Sequence, residues 1–115
     1  MDRLKNRADF LRAARGIRRV TPGLTLEISR SEGETIRVGF TASRKIGGAV
    51  VRNRAKRRLR AVAAAVLPLS GQKGTDYVLV ARRDTVTRPF ESLKADLAQA
   101  LSAAHLKLGR PGDVR

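Results

Sequence analysis

The chain has 115 residues, enough for one domain with a modest core and too few for two. Lys and Arg number 25 against 10 acids, so the net charge is +15, while hydrophobic residues reach 42%. The absence of Cys excludes disulfides and thiolate metal sites, no apolar run approaches the length of a membrane span, and a single His with few carboxylates supplies little for acid–base or nucleophilic catalysis. A reducing cytoplasm suits such a composition. Met1-Asp2-Arg3-Leu4-Lys5 has no apolar stretch after its basic residues, so no secretory signal is expected.

Asn6-Arg7-Ala8-Asp9 reads as a helix start, with Asn6 as cap and Asp9 reaching back as a variant capping box. Gly16 is expected to end this short helix in the left-handed conformation open to glycine. A further short strand could follow it. Leu24 to Arg30 alternates Leu24, Leu26 and Ile28 with Thr25, Glu27 and Ser29, the period of a strand. Ser31-Glu32-Gly33-Glu34 reads as a turn, with Gly33 able to take a positive φ. Thr35 to Ser43 is a second strand, with Ile36, Val38, Phe40 and Ala42 on one side and the small or polar Arg37, Gly39, Thr41 and Ser43 on the other.

Val51, Ala55, Leu59, Val62 and Val66 then mark one face of a helix that Pro68 and Gly71 should stop. Asp76 to Arg83 contains Tyr77-Val78-Leu79-Val80-Ala81, a short buried strand. Pro89 suits the first turn of a last helix, Glu91 complements its dipole, and Phe90, Leu93, Leu97, Leu101 and Ala104 form its apolar stripe. Residues 109–115 read as a frayed tail. The order of elements predicts an α+β domain, a small sheet covered mainly on one face by helices.

One segment dominates the charge. From Arg44 to Arg60, eight of seventeen residues are cationic and none is acidic; Thr35 to Thr75 holds no Asp or Glu at all. A solvated helix usually mixes signs, because Glu–Lys pairs four apart stabilise it by a few tenths of a kcal/mol. Here Arg54–Arg57, Arg54–Arg58, Arg57–Arg60 and Lys56–Arg60 stand three or four apart and repel. Uncompensated repulsion implies an external polyanion, and counterion release from its phosphates would supply much of the affinity. Arg58 is out of pattern: it falls at the edge of the apolar stripe, where its stem could snorkel over the core. Asn53, between Arg52 and Arg54, could pair with a phosphate, a base edge or backbone. Gly47-Gly48 allows close backbone approach ahead of the helix.

Lys45-x-Gly47-x-Ala49-Val50-x-Arg52-Asn53-Arg54-x-Lys56-Arg57-x-x-Arg60 closely resembles the signature of the bacterial ribonuclease P protein component, fixing ten positions in sixteen. Arg7-x-Asp9-Phe10, Arg37 to Lys45 and Asp76 to Arg82 resemble the family's first helix, the strand before the signature and the later strand, so the likeness spans about Leu4 to Leu106. The resemblance implies an α–β sandwich (ribosomal protein S5 domain 2-like) with a left-handed βαβ crossover, against the usual handedness. It implies the small subunit of a ribonucleoprotein that removes the 5′ leader of precursor tRNA, in which a catalytic RNA with bound Mg²⁺ hydrolyses the phosphodiester. By position, Arg52, Asn53, Arg54, Lys56, Arg57 and Arg60 would contact the ribonuclease P RNA. Phe10, Thr41, Ser43, Arg44, Lys45 and Arg82 would line a cleft for the single-stranded leader. No catalytic residue, metal ligand or cofactor is expected on the protein itself, and neither a membrane nor DNA is an expected partner.

This chain departs from the family at three places: Ala14 and Glu27 stand where aromatics are frequent, and Arg58 where the family tends to be apolar. Composition alone fits a ribosomal-type structural RNA-binding protein equally well; the ordered signature favours the processing subunit. A protein-only nuclease lacks the side chains, and a helix-turn-helix DNA reader would not place strands on both sides of the basic helix.

Overall fold

The computed structural model describes residues 1–109. In chain order the elements are β1 (Asp2–Arg3), α1 (Arg7–Ala14), β2 (Ile17–Val20), β3 (Leu24–Arg30), β4 (Ile36–Thr41), α2 (Ala49–Ser70), β5 (Thr75–Ala81) and α3 (Phe90–Leu108), with short 3-10 turns at Arg44–Ile46 and Arg83–Thr85. The expected tail lies, from residue 110 onward, outside the described residues.

The strands form one sheet in the order β1-β4-β5-β3-β2. β4 runs parallel to both β1 and β5, whereas β3 is antiparallel to β5 and β2. The parallel pair β4–β5 is joined through α2, the crossover that the resemblance implies to be left-handed. The register aligns Gly39 with Val78 and Thr41 with Val80 across β4 and β5, and Glu27 with Val78 and Thr25 with Val80 across β3 and β5.

Because side chains alternate along a strand, this register sorts them into two unequal faces. Leu24, Leu26, Ile28, Val38, Tyr77 and Leu79 meet Ala55, Leu59, Val62 and Leu67 of α2 and Leu93, Leu97, Leu101 and Ala104 of α3. Each fully buried Leu contributes about 1.5–3 kcal/mol, so this face carries most of the stability. On the other face the apolar cluster among the described residues is smaller, Leu4, Ala13 and Val78, with Phe10 and Val80 packed beside them under α1. The α+β expectation therefore holds, and the face that α1 leaves partly uncovered is available to a ligand.

Several local expectations are corrected. Asn6 makes no side-chain cap for α1, and Asp9 does not reach back to it. Asp9 is buried and turned to Arg12 and Arg37, a stronger pairing for a carboxylate than one backbone N–H. Gly16 has no positive φ; it is required because a Cβ there would lie 2.1 Å from the Ile28 carbonyl oxygen. The turn between β3 and β4 likewise leaves Gly33 unstrained. The left-handed residue is Gly74 (φ 72) on the facing turn, which bonds Ser31 and Thr35 through its backbone. Pro68 does not stop α2, which runs to Ser70. Its missing N–H orphans only the carbonyl of exposed Ala64, and Gly71 then closes the helix on the Leu67 carbonyl.

Candidate nucleic-acid interface

α2 buries Ala55, Leu59, Val62, Ala63 and Leu67, and the 3.6-residue repeat turns Asn53, Arg54, Arg57 and Arg60 outward, where all four are exposed. Arg52 and Lys56 flank them, half-buried. Among the described residues no carboxylate pairs with any cation of this helix. Arg60 lies with its guanidinium carbon 5.7 Å from the centroid of the Phe40 ring on β4, a cation–π contact that orients it without neutralising it. Arg58 belongs to a different set. Its guanidinium donates to the Arg88 carbonyl in the loop before α3, so it fastens α2 to that loop. This resolves its place at the edge of the apolar stripe.

The α2 entry is built for close packing at one glycine only. Gly47 has φ 147, and a Cβ on it would sit 2.9 Å from Val51 Cβ; a Cβ on Gly48 would meet nothing. Ser43, Arg44 and Lys45 stand exposed just before it, without ion-pair partners among the described residues.

On the opposite face of the sheet, Phe10 of α1 is half-buried with its ring against the backbone of Gly39: a Cβ on Gly39 would approach ring atoms Cε1 and Cζ to 2.5 Å. The ring thus combines an apolar seat with a free edge. That edge borders a depression of about 190 Å³ that Arg3 and Lys5 also line. Thr41 lies two residues along β4 from Gly39, beside Val80 of β5. A separate, larger groove of about 500 Å³ lies over Thr25 and Val80, walled by Arg18, Arg82, Arg83 and Asp84. Because β4 and β5 are parallel, Thr41, Ser43, Arg44 and Lys45 at the end of β4 and Arg82 after β5 leave the sheet at the same end, while Phe10 sits further back against Gly39. Arg82 is partly committed: its guanidinium bonds the Thr21 carbonyl, and its backbone N–H donates to Thr85 Oγ1 at 2.8 Å.

Arg3, Lys5, Arg18, Thr25 and Arg83 escaped the sequence reading. Period-2 alternation could have placed Arg18 and Thr25 on this face, but nothing in the chain order shows that β2 and β1 flank the sheet and carry these cations to the rim. Ala14 is exposed and adds no second ring. Glu27 is half-buried opposite Arg18; burial raises its carboxyl above the usual range and the Arg18 charge partly offsets this.

Three acids act inside the fold. Fully buried Asp76 accepts two hydrogen bonds from Arg37, Nε to Oδ1 and Nη2 to Oδ2, both at 2.7 Å, and the Asp76 bond is the main reason the Arg37 pKa is raised. Arg37 Nη1 also reaches Asp9 Oδ2 at 3.3 Å. Asp96 receives Arg88 through two bonds, at 2.6 and 3.0 Å, and the Gly23 N–H at 3.1 Å, which ties α3 to the β2–β3 turn. Among the described residues no cluster of three or more His, Asp or Glu could hold a metal, and no helix is long and apolar enough to cross a membrane.

An α+β fold with a cationic helix on one face of its sheet, and on the other a depression bordered by Phe10 beside an arginine-walled groove, has the form of an RNA-binding module. The family model described as Ribonuclease P matches residues 1–105. The "Ribonuclease P protein component" of Ruegeria pomeroyi is 50% identical over 106 residues, covering 89% of this chain and 85% of that protein. That of Caulobacter vibrioides is 45% identical over 113 residues, covering 96% and 76%. The solved RNase P protein of Staphylococcus aureus superposes with a TM-score of 0.73 at 25% identity, over 90% of this chain and 95% of that one. The Thermotoga maritima protein gives 0.74 at 24% identity, over 90% and 97%, and supports the fold alone. The chain belongs to the bacterial ribonuclease P protein family, and is thereby a subunit of an endoribonuclease holoenzyme.

Proposed function

We propose that this subunit binds the catalytic ribonuclease P RNA through α2 and the 5′ leader of precursor tRNA through the α1 face of the sheet, so that the leader is removed to give mature tRNA 5′ ends. The observation that carries the first half is the outward row Asn53, Arg54, Arg57 and Arg60, flanked by Arg52 and Lys56, with no acid among the described residues to neutralise it. The second half is supported by Phe10 seated on Gly39, Thr41 beside Val80, and the parallel ends of β4 and β5 that carry Ser43, Arg44, Lys45 and Arg82. A ring for stacking, small hydroxyls that let a strand lie close, and cations for phosphates are what a single-stranded nucleic acid needs. The chemistry belongs to the RNA and its Mg²⁺; this chain contributes binding and orientation. A cytoplasmic location, where the chain would meet precursor tRNA, is part of the same reading.

Reconstitution tests it. The protein is added to a bacterial ribonuclease P RNA at low Mg²⁺ and cleavage of precursor tRNA is followed. Faster cleavage and tighter precursor binding are expected; no change in either would sink the proposal. The family match already separates this reading from a ribosomal-type role, which composition had left level.

A further inference from the structure

We infer that Asp9 and Arg37 are a positioning pair for the leader cleft: their ion pair sets α1, and with it Phe10, on the backbone of β4. The inference rests on the proposed leader reading and goes beyond it, because neither residue belongs to the proposed binding set.

α1 is only eight residues long and buries two of them, Asp9 and Ala13. A helix of that length is unstable alone and takes its position from tertiary contacts. The apolar contact beneath it is small, Leu4, Ala13 and Val78 with Phe10 and Val80 beside them. A carboxylate therefore supplies one of the two buried anchors of this helix. Its partner is rigid: Arg37 is gripped at 2.7 Å by both oxygens of fully buried Asp76, which leaves Nη1 to meet Asp9 Oδ2 at 3.3 Å. A planar guanidinium held on one edge offers the other in a fixed direction.

The spacing makes this a device for placing Phe10. Asp9 and Phe10 are adjacent on α1; Arg37 and Gly39 are two apart on β4 and so share a face. One pair is ionic and the other is the ring against Gly39. Two attachments between the same two elements fix both the height and the rotation of α1, whereas the ring contact alone fixes neither. Arg12, which meets the other Asp9 oxygen at 3.1 Å, is about half exposed and can serve only as a cover.

The test uses the holoenzyme reconstituted with a bacterial ribonuclease P RNA, and reads the ratio of dissociation constants for mature and precursor tRNA. Asp9→Asn should lower that discrimination about two- to fivefold, the scale of one partly exposed ion pair, with affinity for the ribonuclease P RNA unchanged. Asp9→Glu, which keeps the charge, should retain most of it. Phe10→Ala should lower it further, and the double variant Asp9→Asn with Phe10→Ala should be no worse than Phe10→Ala alone, because Asp9 acts through the ring. Full discrimination in Asp9→Asn when Phe10→Ala has lost it, or losses that add in the double variant, overturns the inference. No loss in Phe10→Ala refutes the leader reading itself, and the positioning role with it. Should Asp9→Asn melt below the assay temperature, Arg37→Lys carries the same test, since it keeps a cation opposite Asp76 but shortens the reach to Asp9.

Discussion

Arg57 and Arg58 are neighbours on one helix, and the structure predicts opposite consequences for losing them. Arg57, like Arg54, is exposed and has no acidic partner among the described residues. Replacing both by Ala removes mutual repulsion and introduces the best helix former, so the melting temperature should hold or rise. If each arginine neutralises one phosphate, the slope of log affinity against log salt should flatten by about 1.4–1.8. Over a rise from about 50 to 200 mM salt, the variant would then lose roughly tenfold less affinity than the parent. Arg58 instead donates to the Arg88 carbonyl and is half-buried. Arg58→Ala orphans that carbonyl and uncovers the core edge, which should cost about 1–2 kcal/mol and lower the melting temperature by several degrees, with the salt slope unchanged. Anisotropy titrations of labelled ribonuclease P RNA at several salt concentrations, beside thermal melts, read both quantities. If Arg58→Ala flattens the slope while the Arg54 and Arg57 replacement only melts the fold, the assignment of the two faces of α2 is wrong.

Gly39→Ala places a methyl 2.5 Å from the Phe10 ring, so the ring must shift; urea unfolding should show a loss of about 1–3 kcal/mol, and precursor binding should weaken while ribonuclease P RNA binding persists. Asp76→Asn leaves Arg37 without its buried carboxylate and should destabilise by about 2–3 kcal/mol at neutral pH, measured by the same unfolding. His105 provides a pH test. Tyr77 Oη accepts from the Gln72 N–H and lies within hydrogen-bond distance, 2.7 Å, of His105 Nε2. Burial lowers its pKa, and the Arg30 charge adds to this. The unfolded chain thus takes up the proton first, and stability present above about pH 6.5 is lost as pH falls from there through the lowered folded value. Between about pH 7.5 and 5.5 the parent should lose more stability than His105→Gln; equal losses would show that the histidine does not titrate against the fold.

The two faces of the domain were unequally legible. α2, β3, β5 and α3 announce themselves because their apolar residues repeat at one period over many residues and then meet in one core. β2 and β1 are short and half-exposed, so Arg18, Arg3 and Lys5 could not be assigned to the cleft rim without the sheet order. The same gap explains the errors at Asn6, Gly16 and Gly33. Capping and turn preferences describe isolated segments, but Asp9 found Arg37, twenty-eight residues away, and Gly16 is required by a carbonyl on β3. Arg58 is the reverse case: its misfit to the helix pattern was visible, and its partner, a backbone carbonyl, carries no sequence signal.

Placement of the acids, more than their number, accounts for the cationic surface. Asp9, Asp76 and Asp96 are buried and spent on Arg37 and Arg88. Each such pair joins elements that border a binding face: Asp9–Arg37–Asp76 joins α1 to β4 and β5, and Arg88–Asp96 joins the loop that Arg58 grips to α3. Asp2 accepts from Thr35 at 2.9 Å, beside the turn that carries Glu32 and Glu34, at the end of β4 away from Arg44 and Lys45. The buried carboxylates thus fasten the fold and α2 has none, whereas Asp84 lines the arginine-walled groove and Glu27 stands half-buried opposite Arg18. Salt should separate the two uses. Exposed charge–phosphate contacts are screened within a Debye length of about 10 Å at 0.1 M, whereas buried pairs are screened far less. Raising the salt should therefore strip this subunit from RNA well before it loosens the pairs that hold α1 and α2 in place, and folded, RNA-free protein is the expected state in that window.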